Sequence, residues 1–296
     1  MRIGLTGATG FIGGAVVREA IKAGHSVIGF SRRGGPQVAG CEECRKISRD
    51  GTGDFSGLDA VVHLAGEPIL GVWTAGKRKA IRDSRVVSTH RIVEQMAQFD
   101  PRPKSFVCAS AIGIYGDRGE DLLSEPEPAG SGFLAEVTEA WEQAAATAED
   151  HGIRVISPRI GMVLGKGGGA ARTLKRVFGL CLGGKLGNGR QWMSWIHVVD
   201  VARLILFGLG NESMRGPVNA VSPNSVRNAD FTRNVASVLR RPAFAPAPAF
   251  AMKLFLREFS GVFLDSVRVD SSLAVDRGFT FEFPELRPAL EDTFSS

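Results

Sequence analysis

The stretch IGLTGATGFIGGAVV, residues 3–17, decides the fold. A short apolar run leads into glycines at 7, 10 and 13, and a second apolar run follows. The pattern is T-G-x-x-G-x-x-G. A strand that ends in such glycines and turns into a helix sets backbone amides and a positive dipole end beside a pyrophosphate. Gly7 allows the tight turn, Gly10 lets the backbone approach the phosphates, and Gly13 lets the helix sit close on the sheet. A lone glycine triplet is a weak signal. Here it follows a strand and opens a helix, which is the context that the dinucleotide fingerprint requires. The end of the second strand then argues the cofactor. NAD enzymes of this fold place an acid there for the ribose 2′-hydroxyl. This chain has Ser31-Arg32-Arg33. A guanidinium fork suits a 2′-phosphate, so NADP(H) is expected over NAD(H), against the alternative of solvated arginines on a loop.

Working outward, residues 2–6, 26–30, 58–66, 104–110, 152–165 and 216–221 read as strands, some with their following turns. Residues 11–23, 77–98 and 133–150 read as helices, and 195–209 as a short strand and then a helix. Residues 35–57 read as Gly-rich loop with a short strand near 45–47. Strands that alternate with helices build a parallel sheet covered on both faces. The expected fold is α/β, a Rossmann-type doubly wound parallel sheet over 1–221. A small, mostly helical C-terminal lobe on the substrate side is expected over 222–296, reached through the Pro/Ala-rich connector RPAFAPAPAFAMK, 241–253.

Composition narrows the function classes. The 296 residues are 44% hydrophobic and 23% charged, with net charge +5. Tight basic clusters are short and scattered, among them Arg32-Arg33, Lys77-Arg78-Lys79 and Arg240-Arg241. No basic helix or aromatic–basic array marks a nucleic-acid protein. No apolar run is long enough for a membrane span, and the start lacks the charged and apolar regions of a secretory signal. Four cysteines in a chain this long make no disulfide framework. The pair Cys41-x-x-Cys44 has no second ligand pair near by, so no metal is expected. These features suit a cytoplasmic protein with a small-molecule substrate, no membrane and no nucleic acid.

The T-G-x-x-G-x-x-G loop, HLAG (63–66), SAIGIYG (110–116) and WIHVVDVA (195–202) together resemble the extended short-chain dehydrogenase/reductase family. HLAGEPI (63–69), SRVVSTHRIVE (84–94), FLAEVTEAWEQAA (133–145), RIGMVLGKGGGA (159–170) and the tail VDSSLAVDRGFTFEFPELRPALED (269–292) narrow the resemblance to its atypical epimerase-family subgroup. The resemblance implies that Gly7, Thr9, Gly10, Phe11, Ile12 and Gly13 cradle the pyrophosphate. It puts Ser31 and Arg32 at the adenosine ribose, Leu64, Ala65, Gly66 and Glu67 beside the cofactor, and Ser110 near the nicotinamide. Pro158, Ile160 and Met162 would close over the carboxamide. The Gly-rich segments 165–170 and 183–195, with Lys166, Lys185 and Arg190, would line the substrate side. A homodimer would form through the helices at 77–98 and 133–150.

One departure matters. Relatives carry a catalytic Tyr and, four residues on, a Lys that tunes it. Phe133 and Val137 stand at that spacing. The chain's single tyrosine, Tyr115, has Gly119 four residues later, so the motif exists nowhere. Four residues before the Tyr of the YG pair stands Ala111, with Ser110 one place earlier. Substitute candidates are Tyr115 pointing into the cleft or packing as an aromatic, and Glu67 as a desolvated base or a surface carboxylate. His197 is catalytic or organises a helix start with Asp200. Arg85, where relatives carry an active-site Asn, binds an anion or is solvated. Two functions stay open: an NADP(H)-dependent oxidoreductase or epimerase-like enzyme, or a non-catalytic NADP(H)-binding regulator, for example of cell division.

Overall fold

The computed structural model describes residues 1–32 and 38–295. Arg33 and residues 35–37 of the Gly-rich loop lie outside that set. The strands are β1 (Arg2–Thr6), β2 (Ser26–Ser31), β3 (Glu43–Lys46), β4 (Ala60–His63), β5 (Ser105–Cys108), β6 (Ser110–Ala111) and β7 (Leu122–Leu123). They continue as β8 (Arg154–Ile160), β9 (Met162–Leu164), β10 (Trp192–Met193), β11 (Trp195–His197), β12 (Gly216–Ala220), β13 (Val226–Arg227) and β14 (Arg268–Val269). The helices are α1 (Phe11–Lys22), α2 (Ala75–Asp83), α3 (Val86–Met96), α4 (Phe133–Ala146), α5 (Ala171–Gly179) and α6 (Val198–Gly210). After them come α7 (Asn228–Leu239), α8 (Ala249–Leu256), α9 (Gly261–Leu264), α10 (Ser272–Asp276) and α11 (Leu286–Phe294).

The main sheet runs β12-β8-β5-β4-β1-β2-β3, with β6 also on β8. Every pair in it is parallel. Strand order reverses at β1, so a crevice opens at the carboxyl ends of β1 and β4, the switch point where such sheets bind ligands. A parallel sheet must be covered on both faces. Val16, Ala20, Val201 and Ile205 of α1 and α6 cover one face. Ile92, Met96, Trp141 and Ala145 of α3 and α4 cover the other. Burying a branched or aromatic side chain of this size stabilises by about 1.5–3 kcal/mol relative to exposure.

The expected helix over 77–98 is two helices that meet at Ser84-Arg85. Ser84 Oγ accepts the Glu67 amide and donates to Ile81 O, which ties the break to the turn after β4. The strand expected over 152–165 is likewise divided at Gly161, whose amide bonds Ala220 O.

The C-terminal lobe draws on both halves of the chain. Its strand pairs are β10 with β13, β11 with β9 and β14 with β7. Its core joins Leu164, Phe178 and Trp195 to Phe231, Val235, Leu286 and Leu290. The buried Asp200 carboxylate accepts the amides of Glu282 and Phe283 at 2.7 and 2.9 Å, which pins the tail to the start of α6.

Candidate functional site

The glycine loop connects β1 to α1. Gly7 has φ +76, which favours glycine, and a Cβ there would lie 3.0 Å from the Ala65 nitrogen. A Cβ on Gly13 would sit 2.1 Å from Gly7 O, so this approach admits no side chain. Gly10 caps α1 without a side-chain bond, and no acid stands in the first turn. The first amides of a helix have no intrahelical partner. The turn therefore presents Phe11, Ile12 and Gly13 to an anion, beside exposed Thr9 and Gly10.

Neighbouring strand ends complete the corner. Ser31 ends β2 half-buried, and Arg32 follows it exposed. Thr6 Oγ1 lies 2.6 Å from His63 Nδ1 and accepts the Ala65 amide, which fixes the turn Leu64-Ala65-Gly66. Burial, aided by the Arg85 charge, pushes the His63 imidazole down to about 4, so the ring is neutral. Arg85 donates from Nη1 to Glu67 O at 3.0 Å and Ile81 O at 3.2 Å. Its guanidinium lies over the Trp141 ring at 5.1 Å, and a Cβ on Gly66 would be 3.4 Å from its Cζ. Glu67 is ion-paired with Lys77 at 2.7 Å. The Lys77 hydrogen bond is the first cause of its lowered pKa, with more distant help from Arg49 and Arg32. A carboxylate held ionised in this way makes a weak base, not the desolvated one envisaged from sequence.

A buried network sits at the end of β5 and β6. Ser110 donates to Glu142 Oε1 at 2.5 Å. Arg159 forks the same carboxylate, Nε to Oε1 at 2.9 Å and Nη2 to Oε2 at 2.8 Å. Its Nη1 donates to the Tyr115 hydroxyl at 2.9 Å and to Glu125 O at 2.9 Å. Tyr115 in turn donates to Asn219 Oδ1 at 2.7 Å. Tyr115 is 0% exposed, so the expectation that it points into the cleft is corrected. Burial raises its pKa, partly offset by Arg159. Glu142 and Arg159 were not singled out from sequence, although both lie inside quoted motifs.

His197 is corrected in the same way. Its Nδ1 accepts the Val199 amide at 3.4 Å as the cap of α6. Its Nε2 lies 3.1 Å from Asp292 Oδ2, and its ring packs 4.0 Å from Phe283. Burial lowers its pKa. The buried residue joins the C-terminal tail to α6. Pro158 is buried within β8, Ile160 ends that strand half-buried, and Met162 opens β9 half-buried. Met162 packs on the lobe's core.

Where relatives carry the acid, Phe133 opens α4 and Val137 is buried. The Phe133 ring lies between the Arg78 guanidinium at 4.4 Å and the Trp73 ring at 5.2 Å. Trp73 then meets Phe259 at 5.7 Å. The loop 165–170 packs on the glycine cradle. A Cβ on Gly168 would be 2.2 Å from Phe11 Cδ2, and one on Gly169 2.8 Å from Phe11 Cε1. This second glycine run is laid over the first residue of α1. The segment 183–195 borders a cavity of about 320 Å³ lined by Asp117, Glu120, Arg190 and Gln191. Among the described residues no cluster of His, Cys, Asp or Glu fits a metal. No described helix is long and apolar enough to cross a membrane.

The model of the NAD dependent epimerase/dehydratase family matches residues 3–220, most of the chain. The chain belongs to that family. A second model, a domain of unknown function, matches 247–293 and coincides with the tail pinned by Asp200 and His197. Within the family, the chloroplastic SDR39U1 homologue of Arabidopsis thaliana is 36% identical over 98% of this chain and 86% of its own length. The epimerase family protein YfhF of Bacillus subtilis is 31% identical over 98% of this chain and 97% of its own. The human epimerase family protein SDR39U1, crystallised with NADPH, superposes with a TM-score of 0.91 at 31% identity, covering 99% of both chains. The UDP-N-acetylglucosamine 4-epimerase of Bacillus cereus, at 19% identity and TM-score 0.77, shares the fold. The chain is thus an atypical extended short-chain dehydrogenase/reductase of the epimerase-family subgroup, with its C-terminal extension.

Proposed function

We propose that this chain binds NADP(H) and acts as an oxidoreductase or epimerase-like enzyme on a small polar substrate, without a Tyr-x-x-x-Lys pair. The observation that carries the reading is the glycine cradle: Gly7 and Gly13 leave no room for side chains, and the uncapped first turn of α1 faces outward. Arg32, in place of an acid after β2, supports a 2′-phosphate. The NADPH in the human relative's structure is consistent with both. When bound, the nicotinamide supplies or accepts hydride.

The chain's own residues then position the substrate. Ser110, 3% exposed, donates its hydroxyl proton to Glu142, so a substrate hydroxyl would reach its oxygen lone pairs only where the end of β6 opens on binding. Arg159 holds that carboxylate in place with two bonds. Arg85 offers guanidinium edge to an anionic group at the Gly66 corner.

The test is a screen of carbonyl and hydroxyl compounds by NADPH oxidation or NADP+ reduction. For a substrate found in this way, Ser110→Ala should lower kcat by about 10²-fold or more, with NADPH affinity unchanged. Full activity in Ser110→Ala would remove Ser110 from the reaction. A second reading, a regulator without turnover, is favoured by the Phe133 ring wedged between Arg78 and Trp73. It predicts NADPH binding, no turnover of any compound, and a partner that distinguishes NADP+ from NADPH.

A further inference from the structure

Helix α8, with sequence AFAMKLFL, contains no buried residue. Ala249, Met252 and Leu256 are half-buried on one side, and Phe250, Leu254 and Phe255 stand out on the other. The segment before it is knitted to the end of α5: Ala245 N bonds Gly183 O, and Ala247 N bonds Lys185 O, both at 3.0 Å. This pairing brings the segment that holds Phe244 alongside the one that holds Leu180 and Leu182. All six large apolar side chains, on these two adjoining segments, are at least 60% exposed. Soluble proteins seldom leave such a group bare without a use for it.

The charge of these two segments has one sign, with the acidic Glu258 following α8 and Asp265 near Lys253 at their margin. Residues 171–190 and 240–257 hold nine Lys and Arg and no Asp or Glu, in a chain with 31 acidic residues. All nine are exposed. Among the described residues none of the nine forms an ion pair. A two-fold contact between copies through this face would set cations against cations, so a second copy is a poor occupant. A nucleic acid would match the charge but leave the aliphatic side chains Leu180, Leu182 and Leu254 unused. An anionic bilayer surface matches both: its headgroups meet the cations, and its acyl boundary takes the apolar side chains.

We propose that the face formed by α8 and the end of α5 docks on anionic lipid membranes. No spanning segment is needed for this, so the lack of one in the sequence does not bear on it. The proposal is independent of the NADP(H) reading.

The test is co-sedimentation of the full chain with vesicles of phosphatidylcholine alone and of phosphatidylcholine mixed with phosphatidylglycerol. Binding should appear with the mixed vesicles, be weak with the neutral ones, and fall as salt rises. The double variant Phe250→Ser with Phe255→Ser should abolish it. Lys175→Ala and Arg176→Ala should each weaken it by about fivefold. Both aromatic positions are exposed, so an unchanged melting curve shows the fold intact. Three results would overturn the proposal: no sedimentation with anionic vesicles, equal binding to both compositions, or a concentration-dependent dimer that the double serine variant dissolves.

Discussion

Arg159 and Glu142 make a two-bond fork in the interior, with side chains only 6% and 13% exposed. The third arm of the guanidinium holds Tyr115, so one residue joins β8, α4 and the turn after β6. Removing one partner of a buried pair strands the other charge. Arg159→Met should therefore lose about 3–5 kcal/mol of stability. Urea unfolding measures it, and a loss under ~1 kcal/mol would mean that the pair adds little.

Tyr115→Phe separates packing from chemistry. The ring is fully buried, and its hydroxyl serves only Arg159, Asn219 and Ser124. Stability should fall by about 1–3 kcal/mol for the unsatisfied partners. NADPH affinity and any turnover should persist in the folded fraction. Loss of turnover at unchanged stability would return Tyr115 to the cleft.

Restoring the missing motif should fail for a physical reason. Phe133 is half-buried, and Phe133→Tyr should stay within ~0.5 kcal/mol of wild type. Val137 is 2% exposed, and Val137→Lys would bury an ammonium without a partner. A loss of about 3 kcal/mol or more is expected. Thermal melts of the two single variants check the contrast, and a stable Val137→Lys protein would show that the site behind α4 is wetter than described.

The buried His63 imidazole sets a pH dependence. Its folded pKa, about 4, lies below the ordinary value of 6.5. The unfolded chain binds the proton first as pH falls, so stability drops between about 6.5 and about 4, by up to ~3 kcal/mol. Asp265 acts in the opposite sense. Burial, with Asp117 near by, raises its carboxyl to about 6, so its contribution is lost as pH rises from about 4 to 6. His63→Gln should flatten the acid slope measured by unfolding at a series of pH values. An unchanged slope would assign acid sensitivity to other groups.

The sheet and the glycine loop were legible because their signals are local: apolar runs, three glycines, and a helix directly after a strand. The break at Ser84-Arg85 was not legible, since it is imposed by the Glu67 amide from another turn. Whether Tyr115 enters the cleft or packs could not be read, because its partner Asn219 lies 104 residues away. The packing of the loop 165–170 on the glycine cradle was hidden for the same reason. Its contact with Phe11 joins segments from the two ends of the dinucleotide domain. Motif spacing locates a strand end, but the direction of a side chain there depends on distant partners.

The central claim is cofactor choice by the corner formed from the glycine cradle and Arg32. The most direct measurement is a fluorescence titration with NADPH and with NADH, wild type beside Arg32→Ala. Tight NADPH binding is expected, weakened by roughly tenfold or more in the variant, with NADH little changed. Equal affinity for NADPH and NADH in the wild type, or no binding of either, would contradict the account.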